Sequence, residues 1–180
     1  MWHEVKAAHD AGEIRAVEIR ASDYVGGGVG PNQSMLVRYA QAAAAGRRVS
    51  VFGSADVLHT FTYVSDVAQT LLTVAQEPAA WGRAWRVPSP AAVTIRGALK
   101  SLTDVLGAPS PRIRTIPRWA LWPAYPFVPL LREVDEVLYQ WESDFVMDHA
   151  AATELLGLQP AQWDQIIADL AGQVRTPQRS

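Results

Sequence analysis

The residues that could do chemistry in this chain are few and scattered. Among its 180 residues there is no cysteine, which removes disulfides, thiolate nucleophiles and zinc–thiolate sites together. His3 and His9 do not share a helix face, which argues against a metal held between them, and no metal site is expected. The run Gly26-Gly27-Gly28-Val29-Gly30-Pro31 lies between a strand and a helix, where phosphate loops occur. It does not satisfy G-x-G-x-x-G, because Pro31 and Gln33 stand in the wrong places, and it lacks the Gly-Lys-Ser/Thr of a Walker loop. A structural turn is the favoured reading. The alternative is that backbone N–H groups near Asn32 to Ser34 meet an anionic group of a ligand. Glu133, Asp135 and Glu136 form an acidic helix surface of the kind that is usually solvated. Trp119, Trp122, Tyr125 and Phe127 could line a pocket or a lid, but core packing is favoured for them.

The elements that must position these groups follow from periodicity and punctuation. Residues 2–11 read as an amphipathic helix stopped by Gly12, and Ile14–Arg20 as a short strand. Pro31 and its small polar neighbours open a helix that runs to about Ala45 and stops at Gly46. Val49–Phe52 alternates as a strand. Val67, Ala68, Leu71, Leu72 and Ala75 mark a helix, with Ser65 as N-cap and Asp66 at its positive end. Trp85–Val87 reads as a strand, Thr94–Leu106 as a helix closed by Gly107, and Arg112–Ile116 as a strand. Six prolines between Pro109 and Pro129 break the next stretch into turns. Helical periodicity returns over 130–141, 149–156 and 161–172, and the tail 173–180 is expected to be disordered. An independent doubly wound sheet needs about five or six parallel strands. The few weak candidates here look like part of a larger sheet, and residues 1–172 read as one portion of it.

Composition limits the function classes. Hydrophobic residues make up 49% and charged residues 19%, an ordinary globular balance. The formal net charge of −2 gives no special attraction to nucleic acid or to an anionic membrane, so neither is an expected partner. The most apolar run, Trp119–Leu131, is interrupted by Pro123, Pro126 and Pro129 and is short of the roughly 20 residues of a membrane span. His3, Glu4, Lys6 and Asp10 interrupt any signal-peptide core, and a cytoplasmic location is the expectation.

Three ordered segments carry a resemblance. Arg20-Ala21-Ser22-Asp23-Tyr24-Val25-Gly26 is similar to R-P-x-N/D-x-Y-G, and His59-Thr60-Phe61-Thr62-Tyr63-Val64-Ser65-Asp66-Val67-Ala68 to R-D-F-x-x-V-x-D-V-A. Asp144-Phe145-Val146-Met147-Asp148 followed by Leu155-Leu156-Gly157-Leu158-Gln159-Pro160 is similar to a closing D-x-S-K … L-G-W-x-P. Val51-Phe52-Gly53 matches the small strand before the second segment. In this order and spacing the chain resembles the extended short-chain dehydrogenases/reductases of the NAD(P)-dependent epimerase/dehydratase family, from residue 2 to about residue 172. The implied fold is α/β: the C-terminal part of an NAD(P)-binding Rossmann-type fold with a mainly helical substrate-binding lobe, the nucleotide-binding half missing.

The resemblance also says what to look for. The family moves a hydride between a nicotinamide and a carbinol carbon, with a Tyr-x-x-x-Lys pair handling the proton. The residues four places after Tyr24, Tyr39, Tyr63, Tyr125 and Tyr139 are Gly28, Ala43, Val67, Pro129 and Ser143, and the two lysines are Lys6 and Lys100. No catalytic residue is therefore expected in these 180 residues. Met1 would fall within the helix that carries the pair, through a truncated gene, a late start or a partial chain. The matching positions imply that Ala21 and Ser22 approach the nicotinamide of NAD or NADP. They further imply that Asp23, Tyr24, Gln33 and His59 meet a small-molecule substrate. Asp23 could equally be a turn residue bonding its own backbone. His59 replaces an arginine, and imidazole cannot make the bidentate phosphate contact of guanidinium, which argues against a nucleotide-diphospho-sugar. Tyr63 and Asp66 are read as structural. The expected function is a truncated epimerase/dehydratase-type oxidoreductase for a small hydroxyl or carbonyl substrate, inactive alone and prone to associate through an exposed sheet edge. The competing expectation is a non-catalytic ligand-binding or protein-interaction module.

Overall fold

The structure, a computed structural model, describes residues 1–122 and 135–175. Its strands are short, and every strand pair is parallel. Strand β1 (Glu18–Arg20) pairs with β5 (Ala84–Arg86), with Ile19 opposite Trp85. Strand β2 (Asp23–Val25) pairs with β4 (Phe61–Tyr63), and β3 (Val49–Phe52) with β6 (Ile113–Ile116). Between them run α1 (Trp2–Asp10), α2 (Met35–Ala44), α3 (Val64–Gln76) and α4 (Ile95–Leu106). The chain ends in α5 (Ala150–Leu156) and α6 (Trp163–Arg175). This is an α/β arrangement in which parallel strands far apart in sequence are joined through helices, as parallel pairing requires.

Two apolar clusters hold it. The larger packs α2, α4 and α6 against β3 and β6 around Leu36, Val37, Val51, Leu99, Leu102, Ile166 and Leu170. The smaller joins α3, β5 and α5 through Val74, Trp85 and Ala152, with Val17, Ile19 and Leu156 at its margin. Local chemistry sets the ends of α4: Thr94, read from the sequence as its first residue, is instead the cap and accepts through Oγ1 from Gly97 N–H, and Gly107 closes the helix as expected, in the left-handed conformation.

Several boundaries differ from expectation. The strand expected over 14–20 starts only at Glu18. Before it the chain folds back over the end of α1, where the His9 ring accepts from Ala16 N–H and lies against the Ile14 carbonyl. The helix after Pro31 begins at Met35, because Ser34, not Pro31, supplies the cap by accepting from Val37 N–H. Helix α3 begins one residue before Ser65 with no side-chain cap. Asp66 does not bond its own helix terminus; its Oδ2 accepts from Ala161 N–H at 3.0 Å. Helix α6 continues to Arg175, beyond the boundary expected at 172. Trp119 and Trp122 are 66% and 59% exposed, so neither packs in the core as expected. Tyr125, Phe127 and Glu133 lie outside the described residues.

The stripe that identified α3 faces outward. Asp66, Thr70 and Val74 turn inward, while Leu71 is 48% and Leu72 65% exposed, with Ala68 and Ala75 exposed beside them. No residue of α1 is buried, and among the described residues β1 has no strand neighbour other than β5.

Candidate functional site

The candidate residues cluster where β1 passes into β2, and the structure divides them into two groups. Side chains alternate along a strand, so Asp23 and Tyr24 of β2 leave on opposite faces. Asp23 faces the core side, where its Oδ2 accepts from His59 Nε2 at 2.6 Å. His59 is 0% exposed. Its ring stacks on Trp141 at 3.9 Å between centroids, lies 5.0 Å from Phe61 and 5.3 Å from Phe145, and its other nitrogen is 3.3 Å from the Gln140 carbonyl. His59 thus presents no surface to a solute, and its polar contact toward the site is with Asp23. Asp23 is no turn residue either: it sits in a paired strand, and its carboxylate spans 36 residues of sequence to reach His59.

Tyr24 and Gln33 come together on the other side. With Gly27, Gly28, Val29, Val64 and Val67 they line a cavity of about 560 Å³. The glycine loop shapes it. Gly26 has φ +122°, and a Cβ there would sit 2.5 Å from Tyr63 Cε2, so a side chain is excluded by both backbone and ring. The loop's hydrogen-bonding groups are largely spoken for. Gly27 N–H donates to Asp169 Oδ2 at 2.7 Å, Val29 N–H to the Gly26 carbonyl, and both Gln33 and Ser34 N–H to the Gly30 carbonyl. Gln173 Nε2 donates to the Val29 carbonyl at 2.6 Å. Asp169 and Gln173 are one turn apart on α6, so this helix grips the loop at two points. The Tyr63 hydroxyl donates to the same Asp169 Oδ2 at 3.3 Å. No motif marks Asp169. Its one sequence signal is an acid set among Ile166, Ile167, Leu170 and Ala171 on the buried side of an amphipathic helix.

At the joint itself, Ser22 N–H donates to Thr62 Oγ1 at 3.0 Å and Ser22 Oγ to the Thr60 carbonyl at 2.7 Å, which fixes the turn after β1. Ala21 and Ser22 are half-buried there. Nearby, burial pushes the Asp66 carboxyl above the usual carboxylate range, opposed by its bond from Ala161 N–H. The glycine loop offers a dinucleotide one donor fewer than its sequence suggests. A dinucleotide's diphosphate needs free backbone N–H groups at a strand–helix turn, and the glycine loop gives its Gly27 N–H to a carboxylate of the chain itself. Among the described residues no group of His, Asp and Glu could hold a metal ion, and no helix is long and apolar enough to cross a membrane.

Parallel β1 and β5 with helices α3 and α5 packed against them form part of a Rossmann-type α/β fold. Residues 1–87 match the model of the NAD dependent epimerase/dehydratase family. The structure is similar to UDP-glucuronic acid 4-epimerase from Bacillus cereus, solved with NAD, at 13% identity and a TM-score of 0.72 over 96% of this chain and 49% of that one. It is similar to the dTDP-glucose 4,6-dehydratase DesIV from Streptomyces venezuelae, solved as a double mutant with NAD bound, at 14% identity and a TM-score of 0.71 over 98% and 48%. It is also similar to RMD from Pseudomonas aeruginosa, solved with NADPH, at 16% identity and a TM-score of 0.69 over 95% and 51%. The chain spans about half the length of these proteins. No curated protein matches it significantly in sequence.

Proposed function

We propose that this chain is the substrate-side half of an NAD(P)-dependent epimerase/dehydratase-type oxidoreductase. Its substrate would be a small hydroxyl or carbonyl compound seated in the cavity beside Tyr24 and Gln33. The observation that carries the reading is that cavity, which opens between the glycine loop after β2 and the start of α3 in a fold spanning half of its solved relatives. Ala21 and Ser22 would border the nicotinamide, Tyr24 and Gln33 would meet the substrate, and Asp23, held by His59, would fix β2 beside them. With no Tyr-x-x-x-Lys pair in the sequence and the glycine loop closed by Asp169, oxidation or reduction would require a nucleotide-binding half. The edge of β1 that has no strand partner among the described residues, the unburied α1 and the outward stripe of α3 are surfaces such a half could cover.

The outward Leu71 and Leu72 also favour a second reading, an interaction module without catalysis. The experiments that separate the two are simple. The 180-residue chain is titrated with NAD+ and NADP+ while its tryptophan fluorescence is followed, and the reading frame upstream of Met1 is sequenced. The proposal expects no dinucleotide binding or turnover by the chain alone, and an upstream Gly-rich strand–helix turn followed by Tyr-x-x-x-Lys. Dinucleotide turnover by the chain alone overturns it. An upstream stop codon with a stable monomer moves the assignment to the interaction module.

A further inference from the structure

The cavity under Tyr24 has a charge character that narrows what it can hold. Its lining of Tyr24, Val29, Gln33, Val64, Val67 and two glycines contains no charged side chain. The charge nearest the glycine loop is negative: Asp169 Oδ2, 2.7 Å from Gly27 N. Arg38, the basic side chain bonded to this loop, is turned away to the Pro31 carbonyl at 2.9 Å and Asn32 Oδ1 at 3.4 Å. The positive feature at the rim is the N-terminus of α3, equivalent to about half an elementary charge. It meets the whole charge of Asp169 and an acid, Asp66, in its own first turn. The neutral polar groups on the lining are the Tyr24 hydroxyl and the Gln33 amide, whose Oε1 already accepts from Gly30 N–H and so leaves its NH2 group for a ligand oxygen.

We infer that this cavity takes an uncharged alcohol or carbonyl compound with an apolar body and rejects phosphate esters, because the loop amide that would receive a phosphate is already occupied by the carboxylate of Asp169. The inference rests on reading the cavity as the substrate end of the site and names the class of molecule it accepts. A phosphate placed there would find the Gly27 N–H already given to Asp169 and would meet that carboxylate behind the loop in a half-buried setting, where like charges repel far more than in water. A hydroxyl or carbonyl oxygen meets no such repulsion and finds two neutral donors.

Cyclohexanol and cyclohexyl phosphate, which differ only in the phosphate, are titrated into the full 15N-labelled chain. The backbone amide resonances of Tyr24, Gly27, Gly28 and Gln33 are followed. Cyclohexanol is expected to shift them, and cyclohexyl phosphate to bind about tenfold more weakly or worse. Asp169→Asn, which keeps an oxygen for Gly27 N–H while removing the charge, is expected to recover about tenfold for the phosphate ester and leave cyclohexanol unchanged. Gln33→Ala, at an exposed position, is expected to weaken cyclohexanol without loss of folding. Equal or tighter binding of the phosphate ester by the unaltered chain overturns the charge assignment while leaving the cavity as the ligand site. If neither compound shifts these amides, the cavity is not a ligand site, and the inference falls together with the functional reading beneath it.

Discussion

A histidine 3.9 Å from a tryptophan ring and 2.6 Å from a carboxylate oxygen has its rotamer fixed from two directions at once. His59 is fully buried, so its truncation leaves both an aromatic-sided void and a carboxylate without its donor. His59→Ala is expected to cost about 3 kcal/mol of unfolding free energy, in the range of large-to-small core changes. Asp23→Ala, which removes a hydrogen-bonded partner at a partly exposed position, is expected to cost about 1–2 kcal/mol. The double variant should fall short of the sum by about 1 kcal/mol, because the two share one bond. Urea unfolding of the four proteins measures this, and strict additivity would show that the pair does not act as a unit. The sequence placed Asp23 and His59 in neighbouring motifs but could not show that they meet, nor that Trp141 and Phe145 enclose the ring. Contacts over 36, 82 and 86 residues leave no local pattern. The sequence did show that His59 is no arginine, and the structure gives the consequence: a buried imidazole tied to an acid.

Among the elements, those with their own punctuation were legible, and two of the shortest strands were not. Helix α4 carries its cap and stop at Thr94 and Gly107, and its span differs from the one read from the sequence only in that Thr94 is the cap. Strands β2 and β4 have three residues each, too few to show alternation, and they exist because they pair with each other. Helix α3 was read from its apolar stripe, but its inward face holds Asp66. This carboxyl is raised above its ordinary 3.8 by burial. A group whose value is higher in the folded state stabilises the fold most below its unfolded value, and that contribution is lost as pH rises through the folded value. The fold therefore carries a desolvation penalty from Asp66 at neutral pH that fades as pH falls toward 3.8. Asp66→Asn keeps an oxygen for Ala161 N–H and cannot ionise. The variant should be more stable than the original at pH 7, and the difference should close toward pH 4, by urea midpoints measured across that interval. A less stable variant at pH 7 would mean that the pull of the α3 N-terminus on the charge exceeds the cost of burying it.

At the scale of the whole molecule, the faces left uncovered are consistent with one another. A helix stripe of Ala68, Leu71, Leu72 and Ala75 in water, a first helix with nothing buried and a strand edge with no partner among the described residues all belong to elements around β1. Periodicity announced the stripe but could not say which way it points, because amphipathicity identifies a face without naming what covers it. Exposed apolar surface of this kind drives association when its natural cover is not supplied. The isolated chain is expected to self-associate with rising concentration in sedimentation velocity and to bind a hydrophobic dye. Leu72→Glu, at 65% exposure, should leave the unfolding midpoint within about 0.5 kcal/mol and raise the concentration needed for association. Val105→Glu is the matched control, since Val105 is 52% exposed on α4, which packs in the other cluster. If the two substitutions lower association equally, general surface charge is the cause and the α3 stripe has no special part. If only Leu72→Glu does so, the stripe is the contact, and under the proposed function a nucleotide-binding half added in trans should compete with self-association for it.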